Sequence, residues 1–332
     1  MPLLSSLSSL SSLSAADTEP DVGPDVEPDV EPDTVPDPDR PALVAVAHGS
    51  RDPRSAATIS ALVDQVRVQR PDLDVRLSFL DLSTPRLPDV LAAVAADGYR
   101  RAVVVPLLLG NAFHARVDLP GAVAAAAARY PALRLTVADV LGGDPRLAAA
   151  ALRRLAEVAG PLDAPDLGVV LAATGSSHAS ANAAVDRLAS SWAARHRWSG
   201  CVAAFATALS PTVPEAIEQL RAAGAGRIAV AGWFLAPGLL PRRVGRAALA
   251  VDPRAHVAAP LGPDADVAAV VIDRYLAAAQ RDSGGQTDCQ DRSRLVRART
   301  LSGSVPSTTC ATVVSSRIDR RLARTATQTS CR

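Results

Sequence analysis

"ALVAVAHGSRDP", Ala42 to Pro53, is the stretch on which the fold turns. It runs apolar without interruption, breaks at His48-Gly49-Ser50, and leads into "SAATISALVDQVRVQ", whose apolar residues recur every three to four positions. A short unbroken apolar run, closed by a glycine turn and followed by an amphipathic helix, is how a strand buried on both faces of a parallel sheet reads. Working outward, strand-like runs at 43–47, 75–80, 101–106 and 133–138 each precede a helical stretch, the last being "PRLAAAALRRLAEVA". After a break at "GPLDAPD" (160–166), strands at 168–173, 201–206, 227–233 and 255–259 repeat the order.

The recurrence holds in register. At an offset of 126 residues, His48-Gly49-Ser50 falls on Thr174-Gly175-Ser176, Phe79 on Phe205, Pro85 on Pro211, Gly98 on Gly224 and Arg101 on Arg227, with a slip only near the final strand. The chain therefore reads as an α/β protein of two tandem duplicated parallel-sheet domains, 41–160 and 167–280, with helices on both faces of each sheet. Residues 1–40, Ser/Leu-rich and then built on "EPDV"-like units, cannot form a core and are expected to be disordered. The Arg/Ser/Thr-rich segment 281–332 is expected to be disordered as well.

Bulk properties narrow the function classes. The 332 residues are 48% apolar, enough for one large core or two ordinary ones. A net charge of +1 gives no sign of a nucleic-acid partner, and no apolar run reaches the length of a membrane span. The four cysteines are scattered, with no metal-ligand spacing, which fits a reduced cytoplasmic setting. The N-terminus lacks the basic region of a signal peptide. A soluble cytoplasmic protein is expected.

The duplication supplies an internal control. His48 corresponds to Thr174, Asp81 to Thr207 and His114, in "VVVPLLLGNAFHARVDLP" (103–120), to Leu240. A residue needed to fold the domain should be needed twice, so three potential ligands confined to the first copy point to a site. Each lies at or just past the C-terminal end of a strand, where open α/β sheets bind ligands. Two imidazoles and a carboxylate suit a divalent first-row metal, and a neutral imidazole can equally accept a proton. Metal ligands, general bases, or both in turn are all compatible with the trio. Singly, either histidine is as easily structural, and Asp81 reads first as an N-cap for the next helix, a task Ser83 or Thr84 could take instead. Asp118 is expected to cap the helix that begins near Pro120. His178, His196 and His256 show no such pattern and read as surface or packing residues. Ser50, Arg51, Arg54 and Arg116 sit beside the two histidines, and Arg242 and Arg243 stand at the matching place in the second copy. Lining a cleft between the copies, the arginines would grip carboxylates through paired hydrogen bonds.

The two segments "HGSRDP" and "VVVPLLLGNAFHARVDLP" together resemble the signatures of the sirohydrochlorin chelatases, the class II tetrapyrrole chelatases, over roughly residues 42–280. The second half resembles the degenerate partner domain of the two-domain members. The resemblance implies insertion of Fe²⁺ or Co²⁺ into sirohydrochlorin, for sirohaem or cobalamin synthesis, with His48 and His114 handling metal and pyrrole protons and Asp81 assisting. The metal is then a substrate, and no permanently bound cofactor is implied. Two departures stand out: Asp81 where Glu is usual, which draws the carboxylate back by one methylene, and Ala112 where glycine is common. The alternative is a non-catalytic carrier of metal or tetrapyrrole using the same residues. A hydrolase is disfavoured because GxSxG is absent, and a phosphohistidine enzyme because Ala47 rather than Arg precedes His48. Iron and cobalt are left open, and with two domains in one chain a monomer is expected.

Overall fold

The computed structural model describes residues 40–110, 118–207 and 209–300, with side chains to residue 282. Two four-stranded, all-parallel sheets alternate with helices. The first half runs β1 (Ala42–Ala47), α1 (Pro53–Gln69), β2 (Val75–Phe79), α2 (Leu87–Ala96), β3 (Arg101–Pro106), α3 (Leu119–Arg129), β4 (Arg134–Val137) and α4 (Pro145–Ala159). The second runs β5 (Leu167–Ala173), α5 (Ala179–Arg195), β6 (Gly200–Phe205), α6 (Val213–Ala222), β7 (Arg227–Gly232), α7 (Leu239–Val251), β8 (His256–Val257) and α8 (Ala265–Thr300). Strand orders are β2-β1-β3-β4 and β6-β5-β7-β8. Every strand expected from the sequence is present, although β8 shortens to two residues.

In β1, Ala45 pairs with Leu77 of β2 on one side and Val105 of β3 on the other, and the whole strand is buried. Its side chains divide by the two-residue period of a strand. Leu43, Ala45 and Ala47 face a core shared by both halves, whereas Ala42, Val44 and Val46 face a core private to the first half. β5 divides identically: Val169, Leu171 and Ala173 join the shared core, and Val170 and Ala172 a second private one.

The shared core is closed by an exchange of helices. α4 ends the first half but lies on β7 and β8, while α8 ends the second half but lies on β3, β4 and α1. Charges fasten the exchange: Arg153 reaches Asp264 and Asp266 (2.8 and 2.7 Å), and Arg146 reaches Asp273 (2.6 Å). The Tyr275 hydroxyl donates to the Pro41 carbonyl at 2.7 Å. Asp-Pro-Arg opens both α1 and α4: Asp52 and Asp144 are N-caps accepting from the backbone N–H of Arg54 and Arg146, and the intervening proline presets the first turn.

α8 corrects one expectation. The helix continues to Thr300, into the segment read from sequence as a disordered tail. Past residue 280 it is still tied to the first half, by Arg281–Asp139 at 3.2 Å and Arg101–Asp282 at 2.8 Å, contacts that local composition does not reveal. Residues 1–39 and 301–332 lie outside the described part.

Candidate active site

The chain order of each sheet reverses direction between its first and third strands, the switch point at which open α/β sheets form a ligand crevice. In the first half that crevice lies between the loops leaving β1 and β3. His48 is the first residue past β1 and is half-buried. Gly49 follows at φ +95, and a Cβ there would stand 1.7 Å from the Asp81 carbonyl oxygen. Only glycine relieves both the positive φ and that approach. The turn is thereby pressed onto the end of β2, where the Asp81 N–H donates to the His48 carbonyl at 2.9 Å. His48 and Asp81 are thus joined backbone to backbone, 33 positions apart in sequence.

Ser83 completes the clamp. Its hydroxyl meets both the N–H and the carbonyl of Ser50, each at 3.2 Å, and its own N–H donates to the Asp81 carbonyl at 2.8 Å. Leu82 between them is exposed at φ +61, an uncommon conformation for a branched side chain. The Asp81 carboxylate is exposed and pairs with Arg86 at 3.1 Å. It caps no helix: α2 starts at Leu87 with Arg86 as N-cap, and no side chain caps it. Ser83 is spent on Ser50 instead, so the capping role weighed for Asp81, Ser83 or Thr84 is corrected. Asp118 does occupy the N-cap position of α3, yet its side chain makes no cap hydrogen bond.

The halves meet beside this turn. Gly238, just before α7, is buried, and a Cβ on it would come 3.7 Å from the Ser50 hydroxyl oxygen. Ser50 in turn accepts from the Asp52 N–H at 3.1 Å. Asp52 is held by a bidentate Arg54 fork (3.0 and 2.7 Å) that brings its carboxyl down to about 2, with the positive charge of Arg242, from the other half, contributing. Ser50 and Arg54 therefore hold the turn together. Arg243 makes a long 3.4 Å contact to the Ala206 carbonyl, while Arg51 and Arg242 are exposed at the seam. Below, the loop after β4 props the loop after β3: Leu141 N–H donates to Leu108 at 2.9 Å, and a Cβ on Gly142 would strike the Leu109 carbonyl at 2.1 Å. His114, Arg116 and Ala112 fall in 111–117, outside the described residues.

Among the described residues no three His, Cys, Asp or Glu side chains form a metal cluster, and His48 and Asp81 are the two members of the expected trio that are described. The other histidines stand apart. His178 is the N-cap residue of α5, His196 stacks on Trp198 with centroids 4.3 Å apart, and His256 is in β8. Burial pushes the Cys201 thiol up to about 12, which removes it as a nucleophile near neutral pH. Arg86 is the residue that sequence reasoning passed over. Its signal was available: at the 126-residue offset it stands opposite Thr212, an ideal N-cap residue.

Comparison with known proteins matches the CbiX family model to residues 42–158 and again to 168–278. The chain is 26% identical over 205 residues to the sirohydrochlorin ferrochelatase of Bacillus subtilis (strain 168), covering 62% of this chain and 78% of that protein. It is 23% identical over 209 residues to the sirohydrochlorin cobaltochelatase of Priestia megaterium, covering 61% of this chain and 67% of that one. Among solved structures, SirB from Bacillus subtilis with Fe³⁺ superposes with a TM-score of 0.63 at 24% identity, over 74% of this chain and 98% of that chain. No described helix is long and apolar enough to cross a membrane.

Proposed function

The chain belongs to the CbiX family, and from that premise we propose that it is a sirohydrochlorin chelatase, inserting a divalent metal, Fe²⁺ or Co²⁺, into the macrocycle. The observation that carries this reading is the turn at β1. Glycine at φ +95 locks His48 to the Asp81 backbone at the sheet's switch point, and it does so beside the seam of the two halves.

The metal is a substrate in this scheme. His48 and His114, with the Asp81 carboxylate, present it to the pyrrole nitrogens. Insertion of M²⁺ displaces two N–H protons, which neutral imidazoles accept and pass to water. Imidazole suits both tasks because its unperturbed pKa is ~6.5 and iron and cobalt both take nitrogen ligands. The macrocycle lies between the halves, with its acidic rim facing Arg51 and Arg242, and Arg116 is a further candidate on its place in the sequence. Relatives of both metal types accord with a ligand set that does not itself choose between iron and cobalt. The protein works as a cytoplasmic monomer in this reading.

The test is anaerobic metallation of sirohydrochlorin with Fe²⁺ or Co²⁺, followed by the absorption change of the macrocycle. Acceleration over the protein-free reaction is expected, and its loss in a folded His48→Ala, His114→Ala double variant. Tight binding with no acceleration would sink the enzyme and leave a carrier.

A further inference from the structure

The N-terminus of α2 is built worse than its counterpart in the second half. Thr212 caps α6 with a complete capping box: its hydroxyl accepts from the Glu215 N–H, and the Glu215 carboxylate accepts from the Thr212 N–H at 2.7 Å. The equivalent residues are Arg86 and Asp89, so the acidic half of the box is present and the hydroxyl half is replaced by a guanidinium that caps nothing. One backbone hydrogen bond leading into the helix recurs in both copies. Phe79 N–H donates to Pro85 and Phe205 N–H to Pro211, both at 2.9 Å, and a bridge to Phe79 fixes Arg86 beside the end of β2. From that anchored position the Arg86 side chain turns back to Asp81, Nη1 lying 3.1 Å from Oδ1. Both side chains are largely in solvent, where such a pair adds little stability, less than a lost N-cap removes. The exchange of a cap for this pair has no return in folding.

We propose that Arg86 is a positioning residue for the metal substrate: it holds the Asp81 carboxylate at the mouth of the site, and the incoming cation displaces it. This rests on Asp81 being the metal-facing carboxylate. A guanidinium on Oδ1 keeps that oxygen oriented between turnovers, repels cations that arrive, and gives way only to one that binds more strongly. Because the pair is exposed and weak, the competition is slight and readily won. Arg86 therefore sets the apparent affinity for the metal without entering the chemistry.

The experiment is steady-state Co²⁺ insertion, with metal varied at saturating sirohydrochlorin and then the reverse, in the full-length wild type, Arg86→Thr, Arg86→Lys and Asp81→Ala. Arg86→Thr copies the cap of the second half, so a raised unfolding midpoint checks its fold. It is expected to lower KM for Co²⁺ roughly twofold to fivefold, the range an exposed ion pair can impose. kcat and KM for sirohydrochlorin are expected to stay within about twofold. Arg86→Lys, which keeps the charge, is expected to resemble wild type, and high salt to shrink the difference. An unchanged or raised KM for Co²⁺ in Arg86→Thr, with Asp81→Ala still impaired for metal, overturns the proposal alone. A raised KM for sirohydrochlorin overturns it too, making Arg86 a tetrapyrrole contact. Asp81→Ala with wild-type KM for Co²⁺ removes the reading of Asp81 and this proposal with it.

Discussion

The turns that follow β1 and β5 share one backbone and almost none of their chemistry. In each, a glycine at positive φ sits under the end of the neighbouring strand, and a residue after that strand donates back across: Asp81 N–H to His48, and Thr207 N–H to Thr174. The Thr84–Pro85 and Ser210–Pro211 bonds are both cis. The side chains diverge in direction as well as in identity. Thr207 turns inward, its buried hydroxyl without a hydrogen-bond partner among the described residues and 2.4 Å from where a Cβ on Gly175 would stand. Asp81 turns outward into solvent, leaving only its carbonyl against Gly49. The same skeleton thus carries a buried hydroxyl in the second turn and an exposed carboxylate in the first. What the repeat preserves is the backbone of the turn, and what it lacks is the His48 and Asp81 side chains of the proposed site.

The sharpest way to break that comparison is to exchange matched residues. His48→Ala is expected to cost ~10²–10⁴-fold in metal insertion, the range for removing a positioned acid–base or ligand group. Thr174→Ala is expected to change it less than about twofold. Insertion rates on variants with matched unfolding midpoints check both. Equal losses would mean that His48 matters as scaffold, and the asymmetry would have been misread.

Much of this was open to a reader of the sequence, for a physical reason. Parallel strands covered on both faces must be apolar throughout, so β1, β3, β5 and β7 announced themselves, and a helix period between them left little freedom of topology. The exchange of α4 and α8 was not open. Both are amphipathic, and an apolar stripe records that a helix is covered without recording by which sheet. Leu147 and Leu155, on α4, would look the same against either one. The link from His48 to Asp81 was foreseen as proximity, yet the clamp through Ser83 needs the geometry of a turn that composition does not encode. Arg86 escaped because the cap candidates, Asp81, Ser83 and Thr84, all lie before Pro85, whereas α2 starts only at Leu87, with an arginine in the cap position that no capping preference points to.

Glycine substitutions probe the skeleton next. Gly49→Ala meets backbone at 1.7 Å, which cannot move without dragging the end of β2. Gly175→Ala meets the Thr207 hydroxyl at 2.4 Å, a side chain that can rotate away, and Phe205 Cβ at 3.0 Å. Strain at such φ values costs about 1–3 kcal/mol in either case, and the backbone clash adds to the first. Denaturant unfolding should therefore rank Gly49→Ala as the more destabilised. Insertion per folded molecule should fall only there. A larger loss from Gly175→Ala would show that the second turn is the stiffer of the two.

Removing the better cap tests whether the halves differ in how their helices begin. Thr212→Ala breaks the capping box of α6 and should cost about 1 kcal/mol. Arg86→Ala removes no cap from α2 and should cost less than half of that, read as the shift in unfolding midpoint at constant m.

The smallest effect expected is in acid. Asp52 caps α1 in the first half, where the second half has His178 at the start of α5. Hydrogen bonds from the Arg54 side chain, against the opposing push of burial, hold the Asp52 carboxyl at about 2, below the ~3.9 of an unfolded chain. A depressed folded value means stability that is complete above the unfolded pKa and drains away as pH falls toward the folded one. Asp52→Asn keeps an N-cap acceptor but cannot titrate. Its unfolding midpoint should fall less steeply than that of wild type between about pH 4 and pH 2. Parallel acid limbs for wild type and Asp52→Asn would mean that the Arg54 fork persists in the unfolded chain, and that this corner of the first half owes its order to the seam with Gly238 and Arg242.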